Sequence, residues 1–148
     1  MTDLELAVGL SAGLERVVGL LRALAQPSGL SMTAVSTMAA LEQAGPARLT
    51  ALANRAGVTQ PAMTQLISRL EEAGLVCREA DLADGRVVRV AITDEGRVTM
   101  ARRRAARAER LAVILAQLSP EHRVALAAVL PALDALVSAR RDEDPVPA

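Results

Sequence analysis

The sequence contains no Phe, Trp or Tyr among its 148 residues. A bulky aromatic core is thereby excluded, together with any nucleic-acid mode that stacks unpaired bases on rings, as RRM-like and OB-like domains do. Lysine is absent as well. All 17 basic residues are Arg, and beside so much Ala, Val and Gly this reads as the codon bias of a GC-rich genome rather than a functional choice. One Cys cannot form an intrachain disulfide, and one His with one Cys cannot assemble a clustered zinc site. Neither a structural metal nor a cofactor is expected. The chain also lacks a paired nucleophile and base and a phosphate-cradling glycine loop, so an enzyme is not expected. The start, MTDLEL, has no positive leader region, and charge interrupts the apolar stretches before the roughly twenty residues of a membrane span. A cytoplasmic protein is expected.

What is present is apolar: 51% of the residues are hydrophobic. A chain of this length can bury one core of its own but not two comfortable ones, and the apolar excess suggests a partner chain. The net charge is zero, yet it is unevenly placed. Residues 1–42 carry a net −2, residues 43–104 a net +3 and residues 105–148 a net −1. Residues 43–70 hold Arg48, Arg55 and Arg69 and no acid, so a segment approaching phosphates there meets no repulsion.

Ala7, Leu10, Leu14, Val17, Leu21 and Leu24 step by threes and fours, which predicts a first helix with an apolar seam, ending near Gln26, Pro27 and Gly29. Ser31 or Thr33 opens a second helix through Leu41, closed by Gly45 and Pro46. A short third helix spans roughly Leu49 to Ala56 and is broken by Gly57. In the fourth helix Met63, Leu66, Ile67 and Leu70 form one buried stripe, while Gln60, Ala62, Thr64, Gln65, Ser68 and Arg69 face outward. Thr59 can cap it, Pro61 is tolerated in its first turn, and Gly74 stops it. That outer face is small, polar and flat, as entry into a major groove requires.

Two strands follow, about Leu75 to Glu79 and Val87 to Ile92, the second alternating Val88, Val90 and Ile92 against Val87, Arg89 and Ala91. Asp84 and Gly85 supply a tight turn. Thr93 with Asp94 and Glu95 starts a long helix to about Leu118. Arg102, Arg103 and Arg104 point in three directions on it, so they read as solvated or salt-bridged rather than as one phosphate-binding face. Ser119, Pro120 and Glu121 start a last helix carrying Leu126, Val129, Leu130, Leu133 and Val137, bent at Pro131. The tail RRDEDPVPA is expected to fray. The seams read as core or dimer contact.

Leu52, Ala53, Ala56, Gly57, Val58, Met63 and Leu66 sit at the spacings of a helix-turn-helix. The following segment, LEEAGLVCREADLADGRVVRVAITDEG, resembles the wing and flanks of the MarR family of winged-helix repressors, with Asp81, Asp84, Arg86, Thr93 and Gly96 in place. LSPEHR at 118–123 is similar to that family's turn before its final dimerisation helix. The resemblance thus covers nearly the whole chain. It implies a mainly α fold with a small β-hairpin wing (α+β): one domain with a winged helix-turn-helix part at about 31–96 and dimerisation helices at about 1–26 and 97–141. It further implies a homodimeric repressor of double-stranded DNA with a pseudo-palindromic operator, relieved by a small-molecule effector of unknown identity and site.

The DNA-binding residues expected on this reading are Thr59, Gln60, Pro61, Ala62, Thr64, Gln65, Ser68 and Arg69 on the fourth helix. Arg78, Asp84 and Arg86 join them from the wing, and Arg69, Arg78 and Arg89 are read as phosphate contacts or wing support. Gln can bond adenine in two places, Arg86 would enter the minor groove, and Asp84 would orient the wing. Three positions depart from the family pattern. Gln65 stands where many relatives carry Arg, Gly85 where an Asp-Arg-Arg wing has its first Arg, and Arg48 where a capping Thr is common. Affinity should then lean less on charge. Cys77 reads as a small structural strand residue, and His122 as exposed or packed at an interface. The alternative from another class is a winged-helix module that binds protein and has lost DNA affinity.

Overall fold

The computed structural model describes residues 1–25 and 29–143. Six helices and three short strands follow in the order α1 (Asp3–Ala23), α2 (Met32–Ala44), β1 (Ala47–Arg48), α3 (Leu49–Ala56), α4 (Gln60–Glu72), β2 (Val76–Ala80), β3 (Val88–Ile92), α5 (Asp94–Leu115) and α6 (Pro120–Glu143). The fold is mainly α with a small antiparallel sheet of order β1-β3-β2. Two compact units divide the chain, Met1–Ala108 and one beginning at Glu109, and the division falls inside α5.

Side-chain caps set most of the helix starts. Thr2 and Glu5 form a reciprocal capping box at α1, and the Ser31 hydroxyl accepts from the Ala34 N–H at α2. Arg48 precedes α3 without a side-chain cap. The turn into α4 is made by Gly57, whose φ of +65° is a left-handed conformation that side chains disfavour. Thr59 then caps α4, its hydroxyl accepting from the Ala62 N–H at 3.4 Å. Gly74, with φ +72°, ends the segment.

The core lies in the first unit. Met38 and Leu41 from α2, Leu52 and Ala53 from α3, and Met63, Ile67 and Leu70 from α4 pack with Leu75, Val76, Val90, Ile92 and Met100. Met63 and Ile67 are fully buried, worth about 1.5–3 kcal/mol each relative to exposure. Thr93 joins the sheet to α5. Its hydroxyl donates to the Gly74 carbonyl at 2.6 Å and accepts from the Gly96 N–H at 3.0 Å, while its N–H donates to the Leu75 carbonyl. Gly96 is buried there because a Cβ would collide with the Leu75 carbonyl oxygen and lie 2.7 Å from Ile92 Cγ1. The Thr-x-x-Gly pattern is thus a packing requirement.

Several expectations change. β1 was not foreseen; it pairs with β3 as Ala47↔Val90 and Arg48↔Arg89, through contacts too distant in sequence to leave a local pattern. The strands each begin one residue later than expected, at Val76 and Val88, and are joined by a loop over 81–87. Within it Asp84 to Val87 form the turn, the Val87 N–H donating to the Asp84 carbonyl, and Gly85 does not use a left-handed φ. Val88, expected inside with Val90 and Ile92, is 54% exposed, because β3 reaches the loop there and leaves the core. α5 ends at Leu115, three residues early, and α6 runs through Glu143, so the first part of the tail is helical. Pro131 lies within α6 without interrupting it. The expected end of α1 at Gln26 and Pro27, and the rest of the tail, lie outside the described residues.

One exclusion fails. α6 over Pro120–Ala139 is long and apolar enough to cross a membrane, contrary to the reading of interrupted runs. Among the described side chains neither α1 nor α6 contributes a buried residue, although Leu14 and Val17, and Leu126, Val129 and Leu130, lie along their faces.

Candidate nucleic-acid interface

Burying Met63, Ile67 and Leu70 turns the opposite face of α4 outward. Thr59, Gln60, Pro61, Ala62, Thr64, Gln65 and Arg69 are all exposed, and Ser68 is half-buried. The Thr64 hydroxyl donates to the Gln60 carbonyl at 2.9 Å, which holds that side chain against its own helix. Gln60 and Gln65 add exposed amides to α4, and no carboxylate occurs between residues 43 and 70. The face therefore offers both donors and acceptors in an environment that does not repel phosphate.

Ser68 and Arg78 belong together. The Arg78 guanidinium pairs with Glu71 and donates to the Ser68 hydroxyl at 3.2 Å, while the Arg78 N–H donates to Glu71 Oε1 at 3.3 Å. This small network ties the last turns of α4 to β2. Glu71 carries no signal in sequence, since only the fold brings it to a strand residue seven positions later.

The wing loop is organised by its two aspartates. Asp84 Oδ1 accepts from the Arg86 N–H at 3.0 Å, and Asp81 Oδ1 accepts from the Ala83 N–H at 2.8 Å. Such side-chain-to-backbone bonds two residues on form local turns. The Ala83 N–H foremost, and after it the Arg89 and Arg48 guanidinium groups, hold the Asp81 carboxyl below the usual range despite partial burial. Arg86 is exposed at this loop, and its guanidinium has no hydrogen-bond or ion-pair partner among the described residues. Arg89 is engaged, Nη2 donating to the Pro46 carbonyl at 2.7 Å and Nε lying 3.6 Å from Asp81 Oδ2. The Pro46 acceptor is a backbone atom 43 residues away and is invisible in sequence.

Behind the interface, Arg104 of α5 clasps Glu42 of α2 through two hydrogen bonds of 2.6 and 3.0 Å. These bonds hold the Glu42 carboxyl below its ordinary range. For Arg104 the salt-bridged reading of the arginine triplet is borne out. Cys77 is half-buried in β2 opposite Ala91. His122 is exposed in the first turn of α6, its N–H donating to the Ser119 hydroxyl, which also lies 3.1 Å from Nδ1. No group of three or more His, Cys, Asp or Glu side chains that could hold a metal occurs among the described residues.

The chain is similar to known regulators over almost its whole length. The model of the MarR family matches residues 30–88, from the start of α2 to the first residue of β3. An HTH-type transcriptional regulator of Mycobacterium bovis is 34% identical over 144 residues, which cover 97% of this chain and 98% of that protein. Among solved structures, a transcriptional regulator of Thermotoga maritima superimposes with a TM-score of 0.75 at 20% identity, over 92% of this chain and 99% of that one. BpsR of Bordetella bronchiseptica, whose DNA binding is regulated by 6-hydroxynicotinic acid, does so with a TM-score of 0.54 at 23% identity, over 86% of this chain and 91% of that one.

Proposed function

Since the chain belongs to the MarR family, and is accordingly a non-enzymatic DNA-binding transcriptional regulator, we propose that it acts as a homodimeric repressor of a pseudo-palindromic operator. The observation that carries this is the exposed polar face of α4 together with a wing whose Arg86 guanidinium is exposed and has no partner among the described residues. Gln60, Thr64 and Gln65 read base edges in the major groove, and Thr59, Pro61 and Ala62 lie at the helix start that meets the backbone. Arg69 reaches a phosphate. Ser68 and Arg78, already tied to each other, support the approach of the wing. Asp84 shapes the loop from which Arg86 enters the flanking minor groove.

Two-fold symmetry places the two α4 helices in successive major grooves, about 34 Å apart. The single domain is then a winged-helix part at about 31–96 flanked by dimerisation segments, with the bare faces of α1 and α6 covered by the second copy. That partner also accounts for the membrane-length run of α6, which carries Asp134 and Pro131 within it. The protein works in the cytoplasm, where its DNA is. Repression is relieved when a small molecule favours one spacing of the α4 helices over another. The Bordetella relative, regulated in its DNA binding by a small acid, supports that mode.

The test is binding to DNA from immediately upstream of the protein's own gene against a shuffled duplex, at several salt concentrations, with Arg86→Ala and Gln65→Ala beside the wild type. Specific binding that falls log-linearly with salt and is weakened by both changes supports the proposal. Absence of binding to either duplex at low salt would leave the protein-interaction alternative in its place.

A further inference from the structure

Arg48 and Arg89 stand directly opposite each other across β1 and β3. Like charges in that position repel, so the pair calls for a compensating group. Asp81 supplies it. This first residue of the wing loop leaves only 12% of its side chain exposed, with one carboxylate oxygen on the Ala83 N–H and the other 3.6 Å from Arg89 Nε. Its own N–H donates to the Val87 carbonyl at 2.8 Å, closing the loop at its base. On the far side, Arg89 Nη2 donates to the Pro46 carbonyl at 2.7 Å, in the segment that leads into β1 and α3.

Arg89 therefore joins three places in one fork: the root of the wing, strand β3 and the entry to the helix-turn-helix. A guanidinium is suited to this because its planar donors are fixed relative to one another. With Nη2 on the Pro46 carbonyl and Nε beside Asp81, the Arg89 guanidinium is directed back into the protein and is only half-exposed. Arg86, three residues earlier, is exposed, and its guanidinium has no partner among the described residues. We propose that Arg89 is a positioning residue, which through Asp81 and the Pro46 carbonyl fixes the direction of the wing and so delivers Arg86 to DNA. The proposal rests on the reading that the wing enters the minor groove, and it assigns Arg89 no contact of its own.

A double-mutant cycle on the full-length protein tests it, with a duplex that the wild type selects from a randomised library. Arg86→Ala should weaken binding about tenfold, and Arg89→Met, which keeps the aliphatic stem, about fivefold. Since Arg89 acts only through Arg86, the double variant should bind no more weakly than Arg86→Ala alone. Asp81→Asn, a loop change that leaves both strands intact, should reproduce the Arg89→Met loss. In both, sensitivity to base changes should vanish at the flanking positions and persist at those under α4. Effects that multiply in the double variant, or an Arg89→Met protein that binds like the wild type, would overturn the clamp while leaving the wing reading intact. Wild-type affinity in Arg86→Ala would overturn the wing reading and the clamp with it.

Discussion

Helices α4 and α6 carry the same kind of apolar spacing and meet opposite fates. α4 has 13 residues and buries Met63, Ile67 and Leu70, whereas α6 has 24 and buries none of Leu126, Val129, Leu130, Leu133 and Val137. Periodicity thus states that a helix has a face to cover, but not what covers it. For α4 the cover is supplied by the same chain, from α2, α3 and the sheet. For α6 it must come from elsewhere, and a second copy is the cover proposed here.

The sharpest way to break this contrast is to charge the bare face. Leu126→Asp combined with Leu130→Asp should leave the chain monomeric in analytical ultracentrifugation and weaken operator binding on the order of a hundredfold or more, with helical content retained. A dimer that survives both changes would show that the stripe serves something other than self-association. Gly96→Ala addresses the covered side of the comparison. Its methyl would meet the Leu75 carbonyl, and denaturant unfolding should register a loss of about 1–3 kcal/mol.

The smallest effect concerns Glu42. Its folded-state pKa is lowered, chiefly by hydrogen bonds from Arg104, so its stabilisation is present above its unfolded pKa and is lost as pH falls through the lowered folded value. Glu42→Gln should remove that acid-side dependence, at a cost of no more than about 1 kcal/mol at neutral pH. Parallel unfolding curves for variant and wild type across the acid range would show that the pair is inert.

Local chemistry was legible in the sequence. The bounds of α3, the Thr59 cap, the outward face of α4 and the Thr93 helix start follow from spacing and from residues that act on their near neighbours; the start of α2 is open between Ser31 and Thr33, and Gly96 comes with the family resemblance. β1 and the exposure of Val88 were not legible, because the first depends on a pairing distant in sequence and the second on where β3 leaves the core. The same division runs through the interface. Arg86 could be named from its motif, whereas the partners that engage Arg78 and Arg89 include a backbone carbonyl and a glutamate that no pattern announces.

The joint at Gly74 and Leu75 has a mechanical consequence. These two residues leave the end of α4, and their carbonyls receive the hydroxyl and the N–H of Thr93. The first turn of α5 is pressed against them at Gly96, with no space for even a methyl group. The coupling is without backlash: a rotation of α5 about its start would pass to the end of α4 through two hydrogen bonds and one hard contact, before any side chain could absorb it.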